Sequence, residues 1–79
     1  MAGRKKADTV LDLKGSAPAL AVIKARRPFM LLEQDETLEI VTDIEGVYEE
    51  VSRLCDLLGG KVLSSPGKRR IQRIRIKKK

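Results

Sequence analysis

A chain of 79 residues has room for one small domain. Its only aromatic residues are Phe29 and Tyr48, so it lacks the rings for a platform on which nucleic-acid bases stack. It has no histidine and one cysteine, Cys55, which excludes an internal disulfide and leaves too few ligands for zinc or another transition metal. The composition therefore predicts no metal, no cofactor and no enzymatic activity.

The formal net charge of +6 is unevenly distributed along the chain. Residues 33–56 include nine acidic residues and one basic residue, whereas residues 68–79 include eight basic residues and no acidic one. A polypeptide with separated charges of this kind favours an anionic partner at its basic part, or self-association of the opposite poles.

The composition also predicts the limits of the domain and of its two tails. Residues 1–8 have three basic side chains and no apolar period, which predicts a disordered basic tail. Residues 9–77 contain every periodic segment and form the one expected domain, followed by a basic tail at 78–79. No apolar run reaches the length of a signal-peptide core or a membrane span, so we expect a cytoplasmic protein without membrane contact.

The chain begins with a predicted strand and helix. Thr9 to Leu13 alternates apolar and polar residues and stops at Gly15, which is typical of a strand. Ser16 is placed to cap a helix that has Pro18 in its first turn. The apolar face of this helix is expected to contain Val22, Ala25, Phe29 and Leu32. An interior proline loses a hydrogen bond and clashes with the preceding turn, so Pro28 predicts a kink or a break.

A second strand and a second helix follow. Thr37 to Val41 has the residue types of a strand, and Asp43 is placed to cap the next helix. Gly59 and Gly60 are expected to end that helix. Its predicted apolar stripe consists of Val47, Val51, Leu54, Cys55 and Leu58.

The chain then predicts a hairpin. Lys61 to Ser64 forms a short strand, and Ser65 to Lys68 a turn with proline and glycine at suitable positions. In the fourth strand, Ile74 and Ile76 share one face, and Arg73, Arg75 and Lys77 share the other. Ile71 is out of phase with these isoleucines, which predicts a bulge near Gln72.

The element order is therefore βαβαββ. Right-handed crossovers between successive strands would place both helices on one face of a four-stranded mixed sheet. The predicted fold class is a two-layer α/β sandwich, whose other sheet face meets water or a partner.

Three short segments spread over most of the chain point to a family. They are Asp12-Leu13-Lys14-Gly15, Glu36-Thr37-Leu38 and Leu54-Cys55. They resemble the D-L-R-G opening, the G-E-T-L entry to the second strand and the aromatic-Cys pair of the TusA/SirA-like sulfur-carrier family. That family has the same element order and a fold similar to the C-terminal domain of translation initiation factor three.

The resemblance also implies where the family's chemistry would lie. Its members have a G-x-x-C-P-x-P motif whose cysteine, at a helix N-terminus, carries a persulfide, because the helix dipole stabilises a thiolate there. The corresponding positions are Gly15, Ser16, Ala17 and Pro18, a degenerate motif in which Ala17 or Pro18 takes the place of the cysteine. We therefore expect no sulfur transfer at this motif.

The remaining candidate nucleophiles have simpler explanations. Cys55 lies in the middle of a predicted helix on its apolar stripe, where a cysteine acts as a small core residue. Ser16 has no histidine to activate it, which favours a capping role. The acidic second helix is either a solvated face or a docking surface for a basic partner.

The basic segment near the C-terminus is the main candidate site, and two interpretations stay open. Its candidate nucleic-acid-binding residues are Lys68, Arg69, Arg70, Arg73, Arg75 and Lys77. Alternate residues of a strand lie about 7 Å apart, close to the spacing of phosphates along a nucleic-acid strand. The other interpretation is that these charges protect an outer strand from aggregation and are otherwise solvated.

The sequence thus predicts a non-catalytic binding module for RNA or another polyanion. One alternative is an accessory protein of sulfur relay, acting as a sulfur carrier or docking on a sulfurtransferase. Another alternative is a regulatory subunit that contacts proteins only.

Overall fold

The structure, a computed structural model, describes residues 9–64 and 70–79. Its elements are β1 (Thr9–Asp12), α1 (Pro18–Met30), β2 (Thr37–Thr42), α2 (Val47–Leu58), β3 (Gly60–Val62) and β4 (Gln72–Lys78). The predicted order βαβαββ is confirmed. The predicted tail at 1–8 and the predicted turn at 65–68 lie outside the described residues.

The four strands form one mixed sheet in the order β1-β2-β4-β3. β1 pairs with β2 in parallel, and β4 pairs with both β2 and β3 in antiparallel orientation. The two longest strands, β2 and β4, are therefore the central ones.

The core lies between this sheet and the two helices. From the sheet come the fully buried Leu38 and Ile40 of β2 and Ile74 and Ile76 of β4, since alternate side chains of a strand share a face. The helices contribute Ala21, Ala25 and Phe29 from α1, and Val47, Val51, Leu54 and Cys55 from α2. The predicted two-layer α/β sandwich is thus confirmed, as is the stripe of α2.

Both predicted N-caps are wrong, whereas Gly59 ends α2 as expected, at a φ of 80°. The N-cap of α1 is Ala17, and no side chain caps that end; Ser16 is buried, and its Oγ accepts a hydrogen bond from Lys24 Nζ at 3.4 Å. The N-cap of α2 is Gly46, at a φ of 94°. Asp43 instead accepts, through Oδ1, a hydrogen bond from the Gly15 amide at 2.9 Å. Asp43 therefore ties the end of β2 to the turn that follows β1.

Pro28 does not break α1, which continues to Met30. The proline lies in the last turn, so few helical hydrogen bonds follow it. The carbonyl oxygens at this end have another donor, because Lys78 Nζ lies 3.3 Å from Met30 O and 3.2 Å from Leu32 O. A lysine at a helix C-terminus satisfies the last carbonyls and complements the helix dipole.

The predicted bulge near Gln72 is also wrong. Pairing between β2 and β4 is one to one from Thr42 opposite Gln72 to Thr37 opposite Lys77. Ile71 is out of phase because it precedes the strand, where it is 47% exposed.

The expected basic tail at 78–79 belongs to the domain. Lys78 is the last residue of β4, and the Lys79 amide donates a hydrogen bond to Gly59 O at 3.0 Å. The ordered domain therefore extends past the expected limit at residue 77.

The start of β3 generates a stability prediction. A Cβ atom at Gly60 would lie 2.5 Å from Phe29 Cζ and 3.1 Å from Lys77 O. Overpacking a core typically costs 1–3 kcal/mol, so we expect Gly60→Ala to lower the free energy of unfolding by about 2 kcal/mol in urea titrations. The double variant Gly60→Ala/Phe29→Leu makes room for the methyl group and should lose less than the sum of the two single variants. Strict additivity would contradict the proposed clash.

Candidate anion-binding face

The alternation of side chains along β4 shows which residues lie on the face of the sheet that points away from the helices. Because Ile74 and Ile76 point into the core, their neighbours on β4 point the other way. We call this surface the open face. Its basic side chains are Arg73, Arg75 and Lys77 of β4 and Lys61 of β3. Its acidic side chains are Glu39 of β2 and Asp12 of β1. The structure thus brings three of the predicted site residues together on one surface.

The centre of the open face is a cluster of two arginines on one carboxylate. Arg73 Nη1 lies 2.9 Å from Glu39 Oε2, and Arg75 Nη2 lies 3.4 Å from Glu39 Oε1. The Glu39 side chain is 11% exposed, whereas Arg73 is 67% and Arg75 41% exposed. The carboxylate therefore lies beneath the two guanidinium groups, which keep donors directed at solvent.

Glu39 is a functional candidate that sequence reasoning missed. Its position between Leu38 and Ile40 indicates that it faces away from the core. Its partners depend on strand register, which places Glu39 directly opposite Arg75. Register is a property of residues far apart in the chain, so no local pattern predicts this pairing.

The other basic pair lies at the β3 side of the open face. Lys61 and Lys77 are direct cross-strand neighbours. Like charges opposite each other destabilise a sheet, and an anion that binds between them would relieve their repulsion. Lys77 Nζ also lies 3.7 Å from Asp35 Oδ1, in an ion pair whose carboxylate is 72% exposed and therefore open to competition from solvent and ligands.

The remaining basic residues divide into separate roles. Arg70 is exposed just before β4, while Lys68 and Arg69 lie outside the described residues. Lys78 belongs to the helical side, because its Nζ donates to carbonyls at the end of α1 and lies 5.5 Å from the centroid of the Phe29 ring. Lys78 is therefore a structural residue and not part of the open face.

The degenerate carrier motif lies at the start of α1. Gly15 has a φ of 83°, Ser16 is buried, Ala17 is the N-cap and Pro18 is the first helical residue. The free amides of this helix end therefore have no thiol beside them. The only cysteine, Cys55, is 1% exposed in α2, and burial, together with the neighbouring Asp56 carboxylate, raises the pKa of its thiol to about 11.

In the described part of the chain, acidic and cysteine side chains are dispersed through the fold, and both helices are short. Within residues 9–64 and 70–79, no three acidic or cysteine side chains are grouped so that they would hold a metal ion. Neither helix of that part of the chain has both the length and the apolar character needed to cross a bilayer.

Comparison with known proteins leaves the family open: no family model matches the chain, and no curated protein matches it. The resemblance to TusA/SirA-like proteins stays a prediction that depends on the three sequence segments. The first of them covers the end of β1 and the following turn, the second begins β2, and the third lies in α2.

The environment of Cys55 generates a reactivity prediction. With the thiol pKa raised from 9.0 to about 11, the thiolate fraction near pH 8 falls about 100-fold. We expect iodoacetamide to label the folded protein at least about 100-fold more slowly than the urea-unfolded chain. The matched control is Cys55→Ala/Leu57→Cys, which moves the thiol to a position that is 82% exposed. Equal labelling rates for the two folded proteins would contradict the assignment of Cys55 as an inert core residue.

Proposed function

We propose that this protein is a non-catalytic, cytoplasmic module that binds RNA or another polyanion through the open face of its sheet. The observation that carries the proposal is the grouping of Lys61, Arg73, Arg75 and Lys77 on one surface. Cationic side chains concentrated on one face attract polyanions through their phosphate charges.

The charge balance of the open face supports the proposal. Its four basic side chains outnumber the three carboxylates near them, which are Asp12 and Glu39 on the face itself and Asp35, whose Oδ1 lies 3.7 Å from Lys77 Nζ. Asp12 is already engaged by Lys14, whose Nζ lies 3.5 Å from Asp12 Oδ2. The Asp35 carboxylate is 72% exposed, and exposed ion pairs contribute little stability, so a phosphate can compete with it for Lys77. Glu39 is only 11% exposed and stays beneath the two arginines, whose remaining donors face solvent.

The chemistry of the surface favours contacts to phosphates over contacts to bases. The chain's two rings are used elsewhere: Phe29 is fully buried, and the Tyr48 hydroxyl donates to Ser64 O at 3.0 Å. Binding without base stacking depends on counterion release, so its affinity falls steeply with salt and varies little with base sequence.

The sulfur-relay alternative is supported by the sequence resemblance alone. The motif at the start of α1 has Ala17 and Pro18 where a carrier would need a thiol. The purely regulatory alternative leaves the shared orientation of the four basic side chains without a role.

Loss of charge on the open face should weaken binding. We expect Lys61→Gln/Arg73→Gln to raise the Kd for a labelled mixed-sequence RNA about tenfold at low salt, measured by fluorescence anisotropy. Both side chains are exposed, and Glu39 keeps Arg75 as a partner, so the fold should persist. The plot of log Kd against log salt should become less steep by about 1.4, because two fewer phosphates are neutralised and each contributes about 0.7 for a single strand.

The matched control removes the same charge from the helical side. Lys24→Gln/Arg53→Gln changes two exposed basic residues of α1 and α2. If both double variants weakened RNA binding equally, RNA would be attracted by the net charge of the protein and not by a defined face. Absence of wild-type binding at low salt would reject the proposal.

Removal of the central carboxylate should have the opposite effect. Glu39→Gln is nearly isosteric, and it frees the donors that Arg73 and Arg75 direct at the carboxylate. We expect the Kd for RNA to fall about threefold to tenfold at low salt. Glu45→Gln, at an exposed position before α2, is the control for net charge. If Glu39→Gln weakened binding while its thermal unfolding stayed unchanged, Glu39 would be an organiser of the arginines and not a competitor of phosphate.

A further inference from the structure

The outward side of the helical layer carries apolar side chains that the core does not use. They are Leu20, Ile23 and Met30 of α1 and Leu57 of α2, with exposures from 44% to 82%. These are four of the eight large apolar side chains that are exposed in the described part of the chain; Leu31, directly after α1, instead lines a pocket with Thr9 of β1 and Glu36. We call the surface that carries these four side chains the outer helical surface. Apolar side chains grouped in this way mark a contact site on a small domain.

The two helices differ in how their apolar residues are arranged. In α1, Leu20, Ile23 and Met30 follow each other at i, i+3 and i+10 and form a stripe opposite the buried Ala21 and Ala25. In α2, Leu57 is the only large aliphatic side chain that is exposed. Apolar residues on two opposite faces of a helix indicate that both faces are covered. The sheet covers one side of α1, and its other side lacks a cover within the described chain.

The helices also carry opposite charges. α1 contains Lys24, Arg26 and Arg27 and no acidic residue, which gives it a charge of +3. α2 contains Glu49, Glu50 and Asp56 and the basic Arg53, which gives it a charge of −2. One surface of this protein therefore holds both halves of a charge-complementary pair.

The relative direction of the helices decides how two such surfaces can meet. Pro18 at the start of α1 lies next to Gly46 at the start of α2, and Phe29 near the end of α1 lies next to Gly60 beyond the end of α2. The helices are therefore roughly parallel. Two copies packed face to face are related by a two-fold axis that lies in the plane between them.

Two orientations of that axis differ in their electrostatics. A two-fold axis perpendicular to the helix axes places α1 of one copy on α1 of the other, and α2 on α2, so that like charges meet. An axis along the helices places α1 of each copy on α2 of the other, so that a charge of +3 meets a charge of −2 twice. Charge complementarity favours the second orientation. It also places the exposed Leu57 against the apolar stripe of α1.

From this complementarity we infer that the outer helical surface binds a second copy of this chain in an isologous dimer, with α1 of each protomer on α2 of the other. The contact is independent of the open face, which remains outside it. Each dimer then presents two open faces on opposite sides.

Sedimentation velocity of the full chain, free of nucleic acid, tests the inference over a range of protein concentrations. We expect the wild type to sediment as a dimer that dissociates on dilution. Arg26→Glu/Arg27→Glu and, separately, Glu49→Arg/Asp56→Arg should each raise the dimer dissociation constant at least about tenfold, because like charges then meet. The variant with all four substitutions restores complementarity with exchanged signs, and it should recover the dimer.

The inference would be overturned by a wild type that is monomeric at every concentration, and also by a fourfold variant that dimerises no better than the two double variants. Circular dichroism and thermal unfolding show whether each variant is folded. Ile23→Asp, at an apolar position that is 68% exposed, provides a second route to the same interface without charge reversal and should also give monomers. A dimer that is unaffected by any of these variants would place the interface elsewhere.

Discussion

Antiparallel pairing of β2 with β4 holds the rest of this molecule in place. Leu38, Ile40, Ile74 and Ile76 supply the sheet's share of the core from these two strands. Full burial of each such side chain contributes about 1.5–3 kcal/mol. A slip of one residue in β4 would expose both of its isoleucines and bury arginines, so the register is strongly specified. The positions of Arg73, Arg75 and Lys77 follow from this requirement of the core.

The same register places Glu39 beneath two arginines, and it links stability with binding. Two arginines on one face of one strand repel each other, and a carboxylate between them reduces that repulsion. The carboxylate also lowers the positive potential that would attract an anion. The open face therefore reflects a compromise between a cohesive sheet and a strongly attractive surface.

Much of the fold could be predicted from the sequence, because local periodicity determines which side chains face the core. The alternation around Ile74 and the helical stripe from Val47 to Leu58 both lead to the observed elements. The glycine that ends α2 could be predicted from the sequence, but the N-caps could not, since the partner of each candidate side chain depends on residues far apart in the chain. Asp43 bonds to the Gly15 amide 28 residues away in preference to the start of α2. The pairing of Glu39 with Arg75 and the contact of Lys78 with the end of α1 depend in the same way on residues that are close only after folding.

The sheet order has a consequence for synthesis on the ribosome. β3 is made before β4, yet among the described strands β4 is its only neighbour, and β2 also pairs with β4 along the edge that β1 does not use. About 36 residues separate the end of β2 from the end of β4. At roughly 5–20 residues per second, translation takes about 2 to 7 seconds to cover that distance. During this interval β2 has one unpaired edge and the newly made β3 has no partner strand, so protection by the ribosome or a chaperone matters most for these two strands.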